Sequence, residues 1–499
     1  MDAIEQLKED VRVGRIGVER LIDVIGTLQR QLESAKLRIE ELAKEAGGCA
    51  TAKCDAPFSL RAEEKRQQAR HHKKKPKLSG KGRRGRLTTA DKRKLAERTE
   101  KVFPEGVPQQ DCQLSHARPG WRLENGRAVL VAYQIYRGPK NQYGKIPGVL
   151  GRSEFGLEII VQIAYLVYVI GLSFDKVCLL LQFFQNLKLG KSQADALLQR
   201  LARHWQNEFE VLCTLLANAL VVHTDETSWG LNSVWAFLSE KARVLLFGVH
   251  KDADTLKTIL DPATFAGLVV SDDAAVYAHF SAAQKCWAHL LRKAIKLTLQ
   301  DPHNQEYRRF TDRLLEIYRA ACRAQRDGRL RDAGRARAVA VLDDEILELC
   351  GPLWCADLPP LEGLDDDYRL LTNEVMRLML AHELFQFVTV KPVAQPNGAT
   401  QPVGATNNEA ERTLRSPAAA RKTGRTNKTV HGARRQTILT SVLESLRLYL
   451  TTFTLSSVIA EIQHWVEAGR SCFAELLETL NVPPAPQPVL NRVLPIPTG

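Results

Sequence analysis

Three short runs decide the fold: "NALVVHTDE" at 218–226, "SVWAFLSE" at 233–240 and "RVLLFGVH" at 243–250. Each is rich in Val, Leu, Phe and Trp, and the connections between them are tight, so they predict three consecutive strands. Downstream, "KDADTLKTIL" reads as a helix, "GLVVSDD" as a strand, "AAVYAHF" as a short helix, and "AQKCWAHL" as a last strand running into a helix. The predicted order is β-β-β-α-β-α-β, an α/β class with a mixed sheet. Two of these strands end in acids: Asp225 follows "ALVVHT", and Asp272 follows "GLVV" and Ser271. A carboxylate at the end of a buried strand is held at the rim of the sheet, where open α/β sheets bind ligands.

A third acid is sought further along. In "GATNNEAERTLR", residues 404–415, Glu409 and Glu411 stand two positions apart. Successive helix residues turn by about 100°, so the two side chains leave on roughly opposite sides. Thr406 to Glu409 and Asn408 to Glu411 both have the spacing of a capping box, and acids in a first turn also suit the helix dipole. Against helix capping stands a chemical use. Two strand-end acids and a third from a helix make an oxygen cage suited to Mg²⁺. Two ions about 4 Å apart would activate a water or a 3′-hydroxyl and steady the leaving oxygen of an in-line displacement.

"HTDETSW", "SDDAAVY", "CWAHLLR" and "TNNEAER" occur in that order, and together they resemble the DDE transposases of the insertion-sequence-sixty-six family, the TnpC type. The resemblance covers about 145 to 455. It implies an RNase H-like catalytic domain with a helical insertion before the last acid. It assigns catalysis and metal binding to Asp225, Asp272 and Glu411, selecting Glu411 over Glu409, with His289, Asn407 and Asn408 as supporting residues. Two Mg²⁺ ions are the implied cofactor, with Mn²⁺ an acceptable substitute. The family pattern also carries Tyr277, five residues after Asp272. The chain departs from it in three places. Asp273 stands where the family has glycine, and Gly230 where it has a polar or basic residue. Only Cys112 and His116 occupy the segment that usually holds paired cysteines, so no zinc is expected.

Length and charge organise the rest. The 499 residues suit three or four domains or subdomains. Of 70 Lys and Arg, fifteen lie between Arg61 and Lys94 against three acids, which leaves 55 bases and 54 acids elsewhere. The net charge of +13 is therefore one patch. Lys73, Lys74, Lys75, Arg83, Arg84 and Arg86 form a basic arm fit for phosphate contact. Arg412, Arg415, Arg421, Lys422, Arg425 and Lys428 are expected to hold DNA near the acids. Arg434 and Arg435 continue that run.

At the N-terminus, Ile4, Val11, Val18, Ile25, Leu32 and Ile39 alternate with Leu7, Gly14, Leu21, Leu28, Ala35 and Leu42 in a heptad pattern that predicts a parallel dimer. Gly14 and Ala35 weaken the seam, and an amphipathic helix packed on its own protein is the alternative. The expected order is a coiled coil (1–45), a basic flexible arm (46–105), a small β-rich unit (106–145) and a helical, helix–turn–helix-like region (146–213). The catalytic core follows in two parts (214–300 and 401–468), around a mostly helical insertion (301–400). A proline-rich tail (469–499), extended from Val482, closes the chain.

A hairpin is expected around Asn125-Gly126, and Gly190 as the turn between two helices. The apolar run from Leu157 is short for a membrane span and reads as a buried helix. No signal peptide is recognised, and ten scattered cysteines without a CxxC pair indicate a reducing compartment, so a cytoplasmic, nucleoid-associated protein is expected. The expected partners are element-end and target DNA, a second copy of the chain, and accessory transposition proteins, with no membrane. Two rivals share parts of this reading: an RNase H-like nuclease without strand transfer, and a non-catalytic DNA-binding protein.

Overall fold

The computed structural model describes residues 88–354, 363–482 and 488–495, all within one unit, Lys77–Gly499. The expected coiled coil and the lysines and arginines from Lys73 to Arg86 lie outside the described residues.

A five-stranded sheet holds the centre. Its strands are β4 (Val221–Trp229), β5 (Asn232–Ser239), β6 (Arg243–Val249), β7 (Leu268–Ser271) and β8 (Ala283–Lys285), in the spatial order β6-β5-β4-β7-β8. Strand β5 runs antiparallel to both neighbours, whereas β4, β7 and β8 are parallel. The three apolar runs and the β-β-β-α-β order are present as the sequence predicts. Between β4 and β5 the chain turns at Gly230, whose φ of +70° is open to glycine and strained for most other residues. That backbone demand accounts for a glycine at this position.

Apolar side chains leave both faces of the sheet. Val222, Trp235, Phe237, Val244 and Leu246 join one core, together with helices α2 (Leu157–Ala164), α5 (Gln206–Ala217) and α13 (Val430–Tyr449). Trp229, Val234, Ala236, Leu245 and Phe247 face the other way, onto Leu414 of α12 (Asn408–Lys422). The edge strand β6 would leave outward N–H groups unpaired. Helix α13 supplies hydroxyls at four-residue spacing instead. Arg243 N–H donates to Ser445 Oγ at 2.9 Å, Leu245 N–H to Ser441 Oγ at 2.9 Å, and Phe247 N–H to Thr437 Oγ1 at 3.0 Å.

Helices α7 (Trp287–Gln300), α8 (Gln305–Arg326), α9 (Asp332–Cys350) and α10 (Gly363–Leu380) pack about their own apolar cluster beside β7. Of these, α8, α9 and α10 fall within 301–400, where a mostly helical segment is expected, and α7 precedes it. N-terminal to the large sheet, β2 (Gln113–Glu124) and β3 (Arg127–Arg137) form the expected hairpin. Asn125 and Gly126 at its tip both have positive φ, as a tight two-residue turn requires. The run from Leu157 is the buried α2, and no helix among the described residues is long and apolar enough to cross a membrane.

Three expectations need correction. The last part of the supposed flexible arm is ordered: α1 (Thr89–Lys94) starts at a capping box of Thr88 and Asp91, and β1 (Arg98–Val102) pairs parallel to β3. The charged sequence of β1 hid it, because its pairing partner lies about thirty residues downstream. Between α3 (Phe174–Gln185) and α4 (Lys191–His204) the left-handed residue is Asn186, while Gly190 is the extended N-cap of α4. The supposed extended stretch from Val482 contains a last turn of helix, α16 (Val489–Val493), started by Pro488, and α15 (Cys472–Thr479) precedes it. Phe473 and Leu490 from these helices are fully buried, and burial of such side chains outweighs the extended preference of the prolines around them.

Candidate functional site

Strands β4 and β7 bring the first two acids to one level. Their parallel register ends at His223 opposite Val270. Two residues further stand Asp225, in the middle of β4 rather than at the strand end expected of it, and Asp272, just past β7. Side chains alternate along a strand, so Asp225 and Glu226 part company. Glu226, with a side-chain exposure of 2%, meets Lys251 Nζ at 2.6 Å and accepts the Tyr277 hydroxyl. It is a bracing acid, and the tyrosine of the family pattern is its partner. Asp272 Oδ1 accepts the Ala274 N–H at 3.1 Å, which fixes its carboxylate over the strand end. Its exposed neighbour Asp273 pairs with Arg377 of the insertion.

Glu411 arrives in the first turn of α12, held to the sheet by Asn407. Asn407 is fully buried; its Nδ2 donates to the carbonyl of Thr224 at 2.6 Å, and its N–H to Cys286 Sγ at 3.1 Å. The side chain immediately before α12 thus grips the peptide immediately before Asp225. The capping-box expectation fails here, because the N-cap is Asn407 and its side chain is used on β4 rather than on its own helix. The two glutamates diverge as the helical period requires. Glu409 Oε1 accepts from Arg243 at 2.5 Å, in a cleft that His223, Asn408 and Arg412 also line. Glu411 Oε1 accepts from Arg292 at 2.7 Å and lies 3.7 Å from His289 Nε2.

Electrostatics report how close the acids are. Burial, then the charges of Glu226 and Asp272 and, more weakly, Glu411, push the carboxyl of Asp225 up to about 7. Like charges this near resist joint ionisation unless a cation stands among them. Lys251 and Arg292 balance part of the charge from outside. Two polar atoms at the site, Asn407 Oδ1 and His289 Nδ1, are buried without a protein partner. A cleft of about 650 Å³ lined by charges of both signs opens beside Asp272, between His289, Lys293 and the residues Glu374 and Arg377 of α10.

The family model described as "Transposase IS66 family" matches residues 152–353, which include Asp225, Asp272 and the segment from Cys286 to Arg292. Over that span, about two fifths of its length, the chain is similar to the IS66 transposases. Among curated proteins no relative matches. Glu411 lies beyond the matched span, so its place rests on α12 and Asn407.

The expected DNA-binding residues are not all gathered at the acids. Arg412 lines the cleft of Glu409, on the other side of α12 from Glu411. Arg415 and Lys422 are exposed on the same helix. Arg421 donates to the Ser228 carbonyl at 2.8 Å, three residues beyond Asp225 on β4. Arg425 donates to the Gly171 carbonyl, and Lys428 Nζ to Thr426 Oγ1 at 3.0 Å. Arg434 and Arg435 are corrections. Arg434 is buried and grips the carbonyls of Leu490 and Leu494, while Arg435 pairs with Asp195 at 2.7 Å and with the Tyr168 hydroxyl. In the segment without paired cysteines, Cys112 Sγ donates to the Pro108 carbonyl and His116 Nδ1 meets Ser115 Oγ. Sequence reading gave no role to Arg292, Lys251 or Arg377. Arg292 had a signal: Cys286, His289 and Arg292 recur at three-residue spacing in "CWAHLLR", on one side of a helix.

Proposed function

We propose that the protein is a transposase that cleaves the ends of its element and joins the freed 3′-hydroxyl to target DNA, with Asp225, Asp272 and Glu411 as its metal-binding catalytic acids. The strand order, with one antiparallel member among parallel neighbours, supports reading the large sheet as an RNase H-like core. The register of β4 and β7 that sets Asp225 and Asp272 side by side carries the site assignment. The Asp225 carboxyl, raised by burial and then by Glu226 and Asp272, accords with a divalent-cation site.

Asp225, Asp272 and Glu411 would hold two Mg²⁺, or Mn²⁺ in their place. Such ions, when bound, lower the pKa of a water or hydroxyl nucleophile and offset charge on the leaving oxygen. Asp225 sheds its proton as a cation enters, so binding releases protons below about pH 7. Asn407 fixes the reach of Glu411, and Glu226, clamped by Lys251 and Tyr277, fixes the strand that presents Asp225. Arg412, Arg415, Arg421, Lys422, Arg425 and Lys428, with the basic arm, would position phosphates. In the first step a water oxygen attacks phosphorus, and the 3′-oxygen leaves and takes up a proton. In the second that 3′-hydroxyl attacks a target phosphorus and displaces a target 3′-oxygen. Neither step needs a covalent protein intermediate, so the protein contributes orientation and charge. Pairing of two copies through the heptads of residues 1–45 would hold two element ends together, and accessory proteins would act on that assembly.

Asp225→Asn, Asp272→Asn and Glu411→Gln should each lower Mg²⁺-dependent cleavage of element-end DNA by about 10³-fold or more while end binding persists. A variant that cuts at the wild-type rate removes its acid from the site. Supplying pre-cut 3′ ends and scoring joined product separates a strand transferase from a nuclease. Binding without nicking of any end sequence would favour the non-catalytic reading.

A further inference from the structure

Next to the oxygen-rich pair of Asp225 and Asp272 the same site offers softer donors. Cys286 Sγ, a ring nitrogen of His289 and a carboxylate oxygen of Glu411 all lie within 4.8 Å of one another. Ligands at about 2.0–2.3 Å from a tetrahedral ion stand roughly 3.3–3.7 Å apart. The His289–Glu411 separation of 3.7 Å already meets that spacing, and a closure of about an ångström brings in the sulfur. Cys286 is the N-cap of α7 and His289 its third residue, so one helical turn fixes two of the three donors. Burial pushes the Cys286 thiol up, and the Asn407 N–H, 3.1 Å from Sγ, offsets part of that by supporting negative charge on the sulfur. His289 Nδ1 is a buried ring nitrogen without a protein partner.

We propose that Cys286, His289 and Glu411 form a site for a thiophilic divalent cation of the Zn²⁺ or Co²⁺ kind, with a fourth position open to water. A sulfur, a nitrogen and an oxygen donor discriminate against Mg²⁺, which takes oxygen ligands. Arg292 must release Glu411 for the site to fill, and the exposed position of its guanidinium allows that. Because Glu411 belongs to both donor sets, occupancy here withdraws it from Asp225 and Asp272. The expectation of no zinc came from missing cysteine pairs around 106–145. A ligand set drawn from residues 286, 289 and 411 leaves no such pattern. The proposal rests on the juxtaposition of these three side chains and stands whether or not Glu411 is catalytic.

Titrating the full-length protein with Co²⁺ tests it without any activity readout. The expected result is a sulfur-to-cobalt charge-transfer band in the near ultraviolet that saturates at a single equivalent and is lost in Cys286→Ser. His289→Ala and Glu411→Gln should keep the far-ultraviolet circular dichroism of the wild type and weaken Co²⁺ binding by about tenfold or more. His289 is only partly buried, so its variant is expected to fold even if Cys286→Ser does not. Absence of the band, its persistence in Cys286→Ser, or unchanged Co²⁺ affinity in His289→Ala would overturn the proposal.

Discussion

The large sheet ends in two opposite ways. Along its β6 edge the backbone N–H groups of Arg243, Leu245 and Phe247 each find a hydroxyl of α13. At the rim of β4 and β7, acids crowd together, Asp225 holds its proton to about pH 7, and two buried polar atoms lack protein partners. The backbone of the edge is satisfied by the chain alone and stabilises the fold. The rim is unsatisfied by the chain alone, as expected of a place built to receive something else.

That contrast is open to attack at several points. The largest effect is expected from the link between rim and helix. Asn407→Ala frees the start of α12 from the Thr224 carbonyl, and a displaced Glu411 should lower cleavage by about 10–100-fold with end binding retained. Cleavage and gel-shift assays on one preparation decide it, and unchanged cleavage would show that the pin is dispensable.

At the edge, Ser441→Ala leaves the buried Leu245 N–H without its acceptor. The cost should be about 1–3 kcal/mol, read as a lower urea midpoint with unchanged slope.

The rim should respond with the opposite sign. The folded pKa of Asp225 lies above the ordinary value of 3.8. The native state therefore binds the extra proton, and stability falls as pH rises from about 4 to about 7, then stays low. In chelator, Asp225→Asn should raise stability at pH 8 by on the order of 1–2 kcal/mol and change little at pH 4. Destabilisation at pH 8 would mean that the acids are not crowded.

The smallest effect belongs to Glu409, whose ion pair with Arg243 is partly exposed. Glu409→Gln should cost at most about 0.5–1 kcal/mol and leave cleavage within roughly twofold. A loss matching that of Glu411→Gln would reverse the choice between the two glutamates.

How much of this was legible depended on the distance over which each residue acts. The strands, the Asn125-Gly126 turn and Asp272 just past β7 were readable because alternation, turn chemistry and strand termination are local signals. Asp225 instead stands in mid-strand, because β4 runs on to Trp229 by pairing with β5. The pairing of Thr437, Ser441 and Ser445 with β6 was not readable. Hydroxyls every four residues are visible in the sequence, but their partners lie about 200 residues away. Thr406 and Asn408 read as caps because caps are also local, and the partner of Asn407 between them, on β4, is reached only in the fold. The basic run misled at Arg434, since charge alone does not separate an arginine that faces a phosphate from one that grips a helix end.

The convergence of Asp225, Asp272 and Glu411 on one cation is tested most directly by anomalous diffraction from crystals grown with Mn²⁺. Density at about 2.1–2.3 Å from carboxylate oxygens of all three residues is the predicted result. A peak held by Asp273 or Glu226 instead, or none near residue 225 at saturating Mn²⁺, would contradict it.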